Sequence, residues 1–135
     1  MLSPVLYCVY IDDLLLLLSK AGVGCYIGQH FVGALAYADD LVIIAPTASA
    51  LRRLLVLCEN YAREYCISFN ALKSKCLAVV PKNRRAIFEN VNDCAFYIDG
   101  RPIKFVKSFS HLGHLISSEL NDDEDIINRK IAFIG

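Results

Sequence analysis

The chain has 135 residues, is 56% hydrophobic and carries no formal net charge at pH 7. That length supports one domain with a single core, and the zero charge argues against a freestanding, strongly basic nucleic-acid binder. The apolar share exceeds the roughly 45–50% of ordinary globular domains, so part of this surface is expected to meet another protein segment.

The neutral total hides a pattern. Residues 1–50 sum to −3, 51–107 to +6 and 108–135 to −3. A basic middle beside an acidic pair is compatible with a phosphate-handling groove, and such a difference is also common by chance. Six isolated cysteines (Cys8, Cys25, Cys58, Cys66, Cys76, Cys94) include no CxxC pair, which argues against structural zinc. They read as reduced, buried small hydrophobes of an intracellular protein.

Ser3-Pro4 opens the first segment as an N-cap and first-turn proline do. The run from Val5 to Leu18 is about five residues too short for a bilayer span, contains Asp12 and Asp13, and lacks the basic start of a secretory signal. A buried helix packed on most sides is expected, ending near Lys20 and Gly22. No membrane partner is expected. Val23 to His30, with Gly24 and Gly28, reads as a small strand and turn.

In FVGALAYADDLVIIAPT, Phe31 to Thr47, two apolar runs (Val32 to Ala38 and Leu41 to Ala45) flank Asp39 and Asp40. This is a strand–turn–strand pattern. Carboxylates rarely sit unpaired among apolar residues, because burying a charge is costly. The pair is therefore either a metal site or a solvated turn, where Asp is common.

Thr47 or Ser49 caps a helix to about Cys66, with Leu51, Leu54, Leu55, Cys58, Tyr61, Ala62 and Tyr65 on its apolar face. A strand is predicted at Cys76 to Val80, ended by Pro81, and KNRR at 82–85 reads as a solvated basic loop. A strand near Ala95 to Ile98 meets a turn at Asp99-Gly100, with Ile103 to Val106 returning. Another short strand is expected within Phe109 to Ser117. Asn121 with Glu124 resembles a capping box opening a helix from Asp123 to about Ile134. The order predicts an α+β fold, an antiparallel hairpin sheet backed by helices and followed by a small β region and a C-terminal helix.

In this setting the chain resembles the palm of reverse transcriptases, most closely those of non-LTR retrotransposons of the LINE type. Tyr37-Ala38-Asp39-Asp40 matches that family's YADD box. Ser3-Pro4-Val5-Leu6-Tyr7 and Tyr10-Ile11-Asp12-Asp13-Leu14 resemble the SPxLF and YIDDL boxes before it. Asn70, Lys73, Ser74 and Lys75 resemble the Asn…Lys-Thr-Lys stretch after the palm helix. Phe109, Leu112, Gly113 and Ile116 resemble the FxYLG primer-grip turn, with His111 where an aromatic is usual.

The resemblance implies a partial palm at 1–107 and, at 108–135, a primer-grip-like turn and the start of a thumb-connecting helix. It implies an RNA-directed DNA polymerase in which two Mg²⁺ ions (or Mn²⁺) assist phosphoryl transfer. Asp39 is then the principal metal ligand and catalytic residue, and Asp40 the secondary one. Tyr37 lies under the primer–template, and Leu112-Gly113 positions the primer end. Lys73 or Lys75 approaches the triphosphate or the nucleic-acid backbone, the plain alternative being a solvent-exposed lysine. Implied partners are an RNA template, a DNA primer, deoxynucleoside triphosphates and the family's fingers and thumb segments, at work in a nucleus. His111 and His114 do not form a convincing metal pair.

The family's first metal-binding aspartate belongs to a strand preceding the SP box, upstream of Met1, and Asp12 and Asp13 fall in the helix instead. The isolated polypeptide is therefore expected to bind Mg²⁺ weakly and not to polymerise. It is a fragment of a larger reading frame or a degenerate copy. The competing class is a non-catalytic nucleic-acid or protein interaction module, motivated by the basic stretch 52–107.

Overall fold

The computed structural model describes residues 3–79, 95–119 and 121–134. Pro81, the KNRR loop and Cys94 lie outside them. The chain forms two compact units, Met1–Phe69 and Asn70–Gly135.

The first unit holds α1 (Ser3–Ser19), β1 (Tyr26–Ile27), β2 (His30–Phe31), β3 (Ala34–Tyr37), β4 (Asp40–Ile43) and α2 (Ala48–Glu64). Helix α1 forms because its leucine-rich run holds no breaker. It closes with bonds from Lys20 N to Leu16 O and from Ala21 N to Leu18 O, before Gly22 turns the chain at φ +68°. Its packing differs from the all-round burial expected. Among its described side chains, those from Val9 on, only the stripe Ile11, Leu14 and Leu18 is buried, at the i, i+3, i+7 spacing of one face. Val9, Tyr10, Leu16 and Leu17 are exposed, because α2 and the hairpin meet a single side of the helix. Asp12 and Asp13 are both exposed.

Helix α2 is the amphipathic element that its spacing predicts. Thr47 is the N-cap, with extended backbone and Oγ1 accepting from Ala50 N at 3.1 Å. Ala50, Leu54, Leu55, Cys58, Tyr61 and Ala62 are buried, whereas Tyr65 is exposed. At the far end Ile67 N bonds to Ala62 O at 2.8 Å around Cys66, whose φ is +55°. That 6→1 bond across a left-handed residue is a Schellman closure. The core joins Ile11, Leu14 and Leu18 to Leu54, Cys58 and Tyr61, ringed by Phe31, Ala34, Leu41 and Ile43. Leu14, Leu18 and Leu54 are fully buried, each contributing about 1.5–3 kcal/mol by leaving water.

The second unit holds β5 (Lys75–Cys76), β6 (Tyr97–Ile98), β7 (Arg101–Pro102), β8 (Lys104–Phe105), β9 (Ser108–His111), β10 (His114–Ser117) and α3 (Asp123–Ile134). Asp99-Gly100 is the turn its sequence predicts, with φ of +52° and +70°, the two positive values of a type I′ hairpin. A two-residue turn sets Ile98 opposite Arg101. The return strand is therefore Arg101–Pro102, earlier than expected, while Lys104–Phe105 leaves to pair parallel with Lys75–Cys76. Of the strand predicted at Cys76 to Val80 only Cys76 is paired, in this short ladder; residues 77–79 are not strand and Val80 lies outside the described residues. Phe96 and Ile103 are buried beneath it, and the Phe96 and Phe105 rings lie 5.7 Å apart.

The single strand expected within Phe109 to Ser117 is a hairpin, since Leu112 and Gly113 both take positive φ (+51° and +78°) between His111 and His114. Asn121 Oδ1 accepts from Asp123 N at 3.2 Å as α3 opens. Among the described residues the architecture is α+β: helices back five two-stranded ladders, four antiparallel and one parallel.

Of the four cysteines whose side chains are described only Cys58 is buried. Cys25 and Cys76 are half-buried and Cys66 is exposed. The uniform burial expected from their apolar neighbourhoods fails at Cys66 because that residue lies past the helix end, outside the packed face. Among the described residues no helix is long and apolar enough to cross a membrane.

Candidate metal and nucleic-acid site at the hairpin tip

Strands β3 and β4 pair Ala34↔Ile43, Leu35↔Val42, Ala36↔Leu41 and Tyr37↔Asp40. Alternation along a strand then sorts the side chains. Ala34, Leu41 and Ile43 pack on the helical core, while Leu35, Tyr37, Asp40 and Val42 share the other face. Tyr37 is 64% exposed on that face. The ladder leaves Ala38 and Asp39 as a two-residue loop. Positive φ at the first of these, +51° at Ala38, is the sign pattern of a type II′ turn, where glycine is usual. An alanine there stores about 1–3 kcal/mol of strain.

The consequence is chemical. Asp39 and Asp40 are consecutive and exposed, at the end of a ladder anchored in the core. Both carry interactions with neighbouring groups. Their donors are oxygen only, as Mg²⁺ prefers, and two carboxylates with water and phosphate suit its octahedral shell. Among the described residues no group of three His, Cys, Asp or Glu side chains converges as a metal cage.

The other residues singled out from sequence lie in the second unit. Lys73 and Lys75 are exposed, on a loop folded around Asn70. Asn70 Oδ1 accepts from the N–H groups of Leu72 and Lys73 at 3.1 Å each, and its carbonyl accepts from Ser74 N at 2.9 Å. Lys75 Nζ donates to Leu72 O at 3.5 Å. Leu112 and Gly113 form the exposed tip of the β9–β10 hairpin. His111 and His114 face each other across its ladder.

Two residues take roles that the sequence reading did not give them. Asn70 shapes the lysine loop as an Asx turn does, and its position before Leu72-Lys73-Ser74 was the available signal. Asp125 of α3 meets the hairpin through Leu115 N and His114, and pairs with Arg129 of its own helix. The Leu115 bond, then His114 and Arg129, hold its carboxyl below the usual aspartate range. No local signal marks it among four consecutive acids.

The sequence model of the family described as reverse transcriptase (RNA-dependent DNA polymerase) matches residues 1–116. A retrovirus-related Pol polyprotein from the type-1 retrotransposable element R2 of Popillia japonica is 31% identical over 84% of this chain. A second from the same organism is 28% identical over 72%, and one from Nasonia vitripennis is 34% identical over 62%. The chain spans 16%, 21% and 8% of those relatives' lengths, respectively. With a match over most of its length and the acidic pair at the tip of a core-anchored hairpin, the chain belongs to the reverse transcriptase family, as a segment similar to those of R2-type non-LTR retrotransposons.

Proposed function

We propose that this chain is the palm portion of an RNA-directed DNA polymerase and that the β3–β4 tip is its share of the catalytic centre. The observation that carries the reading is the pairing of Tyr37 with Asp40 around a two-residue loop, which presents two adjacent carboxylates at a rigid end. Asp39 and Asp40 would hold a divalent cation, which when bound supplies charge stabilisation for phosphoryl transfer between a primer hydroxyl and an incoming nucleotide. The remaining roles are those that the family resemblance implies, residue by residue. Tyr37, on the same face as Asp40, offers a ring for the primer–template to rest on. Leu112-Gly113 offers a backbone turn to the primer end, and Lys73 and Lys75 offer cations to the phosphates.

Two carboxylates without a third among the described residues make a weak site. The isolated 135-residue polypeptide is therefore expected to bind Mn²⁺ or Mg²⁺ only weakly and not to extend a primer. Paramagnetic broadening by Mn²⁺ should centre on Asp39 and Asp40 and vanish in the Asp39→Asn/Asp40→Asn double variant. Broadening spread evenly over surface carboxylates would reduce the pair to a solvated turn. Template-dependent incorporation by the purified chain would overturn the expected inactivity.

A further inference from the structure

One carboxylate of α3 reaches the β9–β10 hairpin at two points and a cation of its own helix at a third. Asp125 Oδ1 accepts from the backbone N–H of Leu115 at 2.7 Å. Its Oδ2 lies 3.1 Å from His114 Nδ1 and 3.3 Å from Arg129 Nε. Arg129 also closes the circle, with Nη2 standing 2.7 Å from His114 Nε2.

These distances fix the protonation of the ring. A guanidinium only donates, so Nε2 accepts from Arg129, and the single imidazole proton sits on Nδ1, facing Asp125. A second proton would go onto Nε2 and set two donors against each other. His114 is exposed, 57% by side chain, while Asp125 is 15% exposed, and a cleft of about 360 Å³ lined by His114, Asp122 and Asp125 opens beside them. The titratable and charged groups around the ring are Asp125 and Arg129 from α3, Asp122 on the cleft, and His111 opposite in the ladder.

The attachment falls next to the hairpin tip. His114 is the first residue after Leu112-Gly113, and Leu115 is the second, so holding them orients the arm on which the turn is carried. We propose that Asp125 is a positioning residue that fixes the Leu112-Gly113 turn through Leu115 and His114. The consequence for primer handling rests on the role proposed above for that turn.

The test uses the 135-residue chain labelled with ¹⁵N. Amide protection at Leu112, Gly113 and Leu115, normalised to intrinsic exchange, is measured at about pH 8. Binding of a fluorescent RNA–DNA primer–template is measured on the same samples at constant ionic strength. Asp125→Asn should lower Leu115 protection about tenfold near pH 8. His114→Asn, which keeps a donor toward Asp125, should retain most of the wild-type protection. Primer–template affinity should follow the same pattern. Unchanged protection in Asp125→Asn overturns the inference. If the wild-type chain does not bind primer–template even at low salt while protection behaves as stated, the primer reading falls and Asp125 remains the determinant of the turn.

Discussion

Tyr61 of α2 donates its hydroxyl to the backbone carbonyl of Tyr10 in α1 at 2.7 Å. The same ring stacks on Tyr65 at 4.3 Å, and Tyr65 in turn meets Tyr10 at 5.6 Å. Tyr61→Phe keeps the buried ring and removes only this tie between the helices. A loss of about 0.5–1.5 kcal/mol is expected, read as a lower urea midpoint with an unchanged slope. A loss several times larger would mean that the hydroxyl organises more than this contact.

High pH should act through the same helix. Burial, more than its neighbour Glu59, pushes the Cys58 thiol up to about 12 from 9.0. Burial first, then Tyr65 and Asp13, raises the Tyr61 phenol above the usual tyrosine range. Both groups hold their protons more tightly when folded, so their contribution is fully present below the unfolded values. It is lost as pH rises through the folded ones. Stability should begin to fall above about pH 9 and keep falling toward about pH 12. Cys58→Ala combined with Tyr61→Phe should flatten this decline, measured as urea midpoints at increasing pH.

Strain at the hairpin tip separates two alanines of one strand–turn unit. Ala38 holds φ at +51°, so Ala38→Gly relieves strain and is expected to be neutral or stabilising by up to about 1 kcal/mol. Ala36 sits in the ladder opposite Leu41, and Ala36→Gly should cost about 0.5–1 kcal/mol. Equal losses at both positions in thermal melts would show that the tip is relaxed.

Cys66 gives a chemical readout of the α2 end. It is exposed and left-handed, whereas Cys58 is buried. Among the four cysteines whose side chains are described, Cys66 should react first with a thiol reagent and Cys58 last, in mass-resolved labelling. Cys66→Gly should stabilise the first unit by about 1 kcal/mol, because glycine is the residue a Schellman closure favours.

Elements governed by local chemistry were legible in the sequence. Thr47 announces α2 because its hydroxyl competes for the first free N–H groups, and the spacing of Leu54, Cys58 and Tyr61 marks the buried face. Asp99-Gly100 and the acidic hairpin follow from turn chemistry and alternating apolar runs. Non-local choices were not legible. The departure of Lys104–Phe105 to Lys75–Cys76 depends on a partner far along the chain. A helix apolar on nearly every side does not reveal that Ile11, Leu14 and Leu18 are the stripe that will be covered. Leucine at a left-handed position hides the Leu112 turn from any propensity argument. The carboxylates at the tip could be recognised as a pair, but Asp125 acquires its partners only when α3 packs against β10.

The tight loop between Tyr37 and Asp40 makes this stretch sensitive to length more than to spelling. Each side chain's face is set by counting from the loop, so one inserted residue would turn β4 by half its repeat. Leu41 and Ile43 would then point to water, and Asp40 and Val42 would be driven into the helical core. A gene for this chain can therefore drift by substitution through β3 and β4, while a single in-frame codon gained or lost at the tip would cost the fold and the carboxylate pair together.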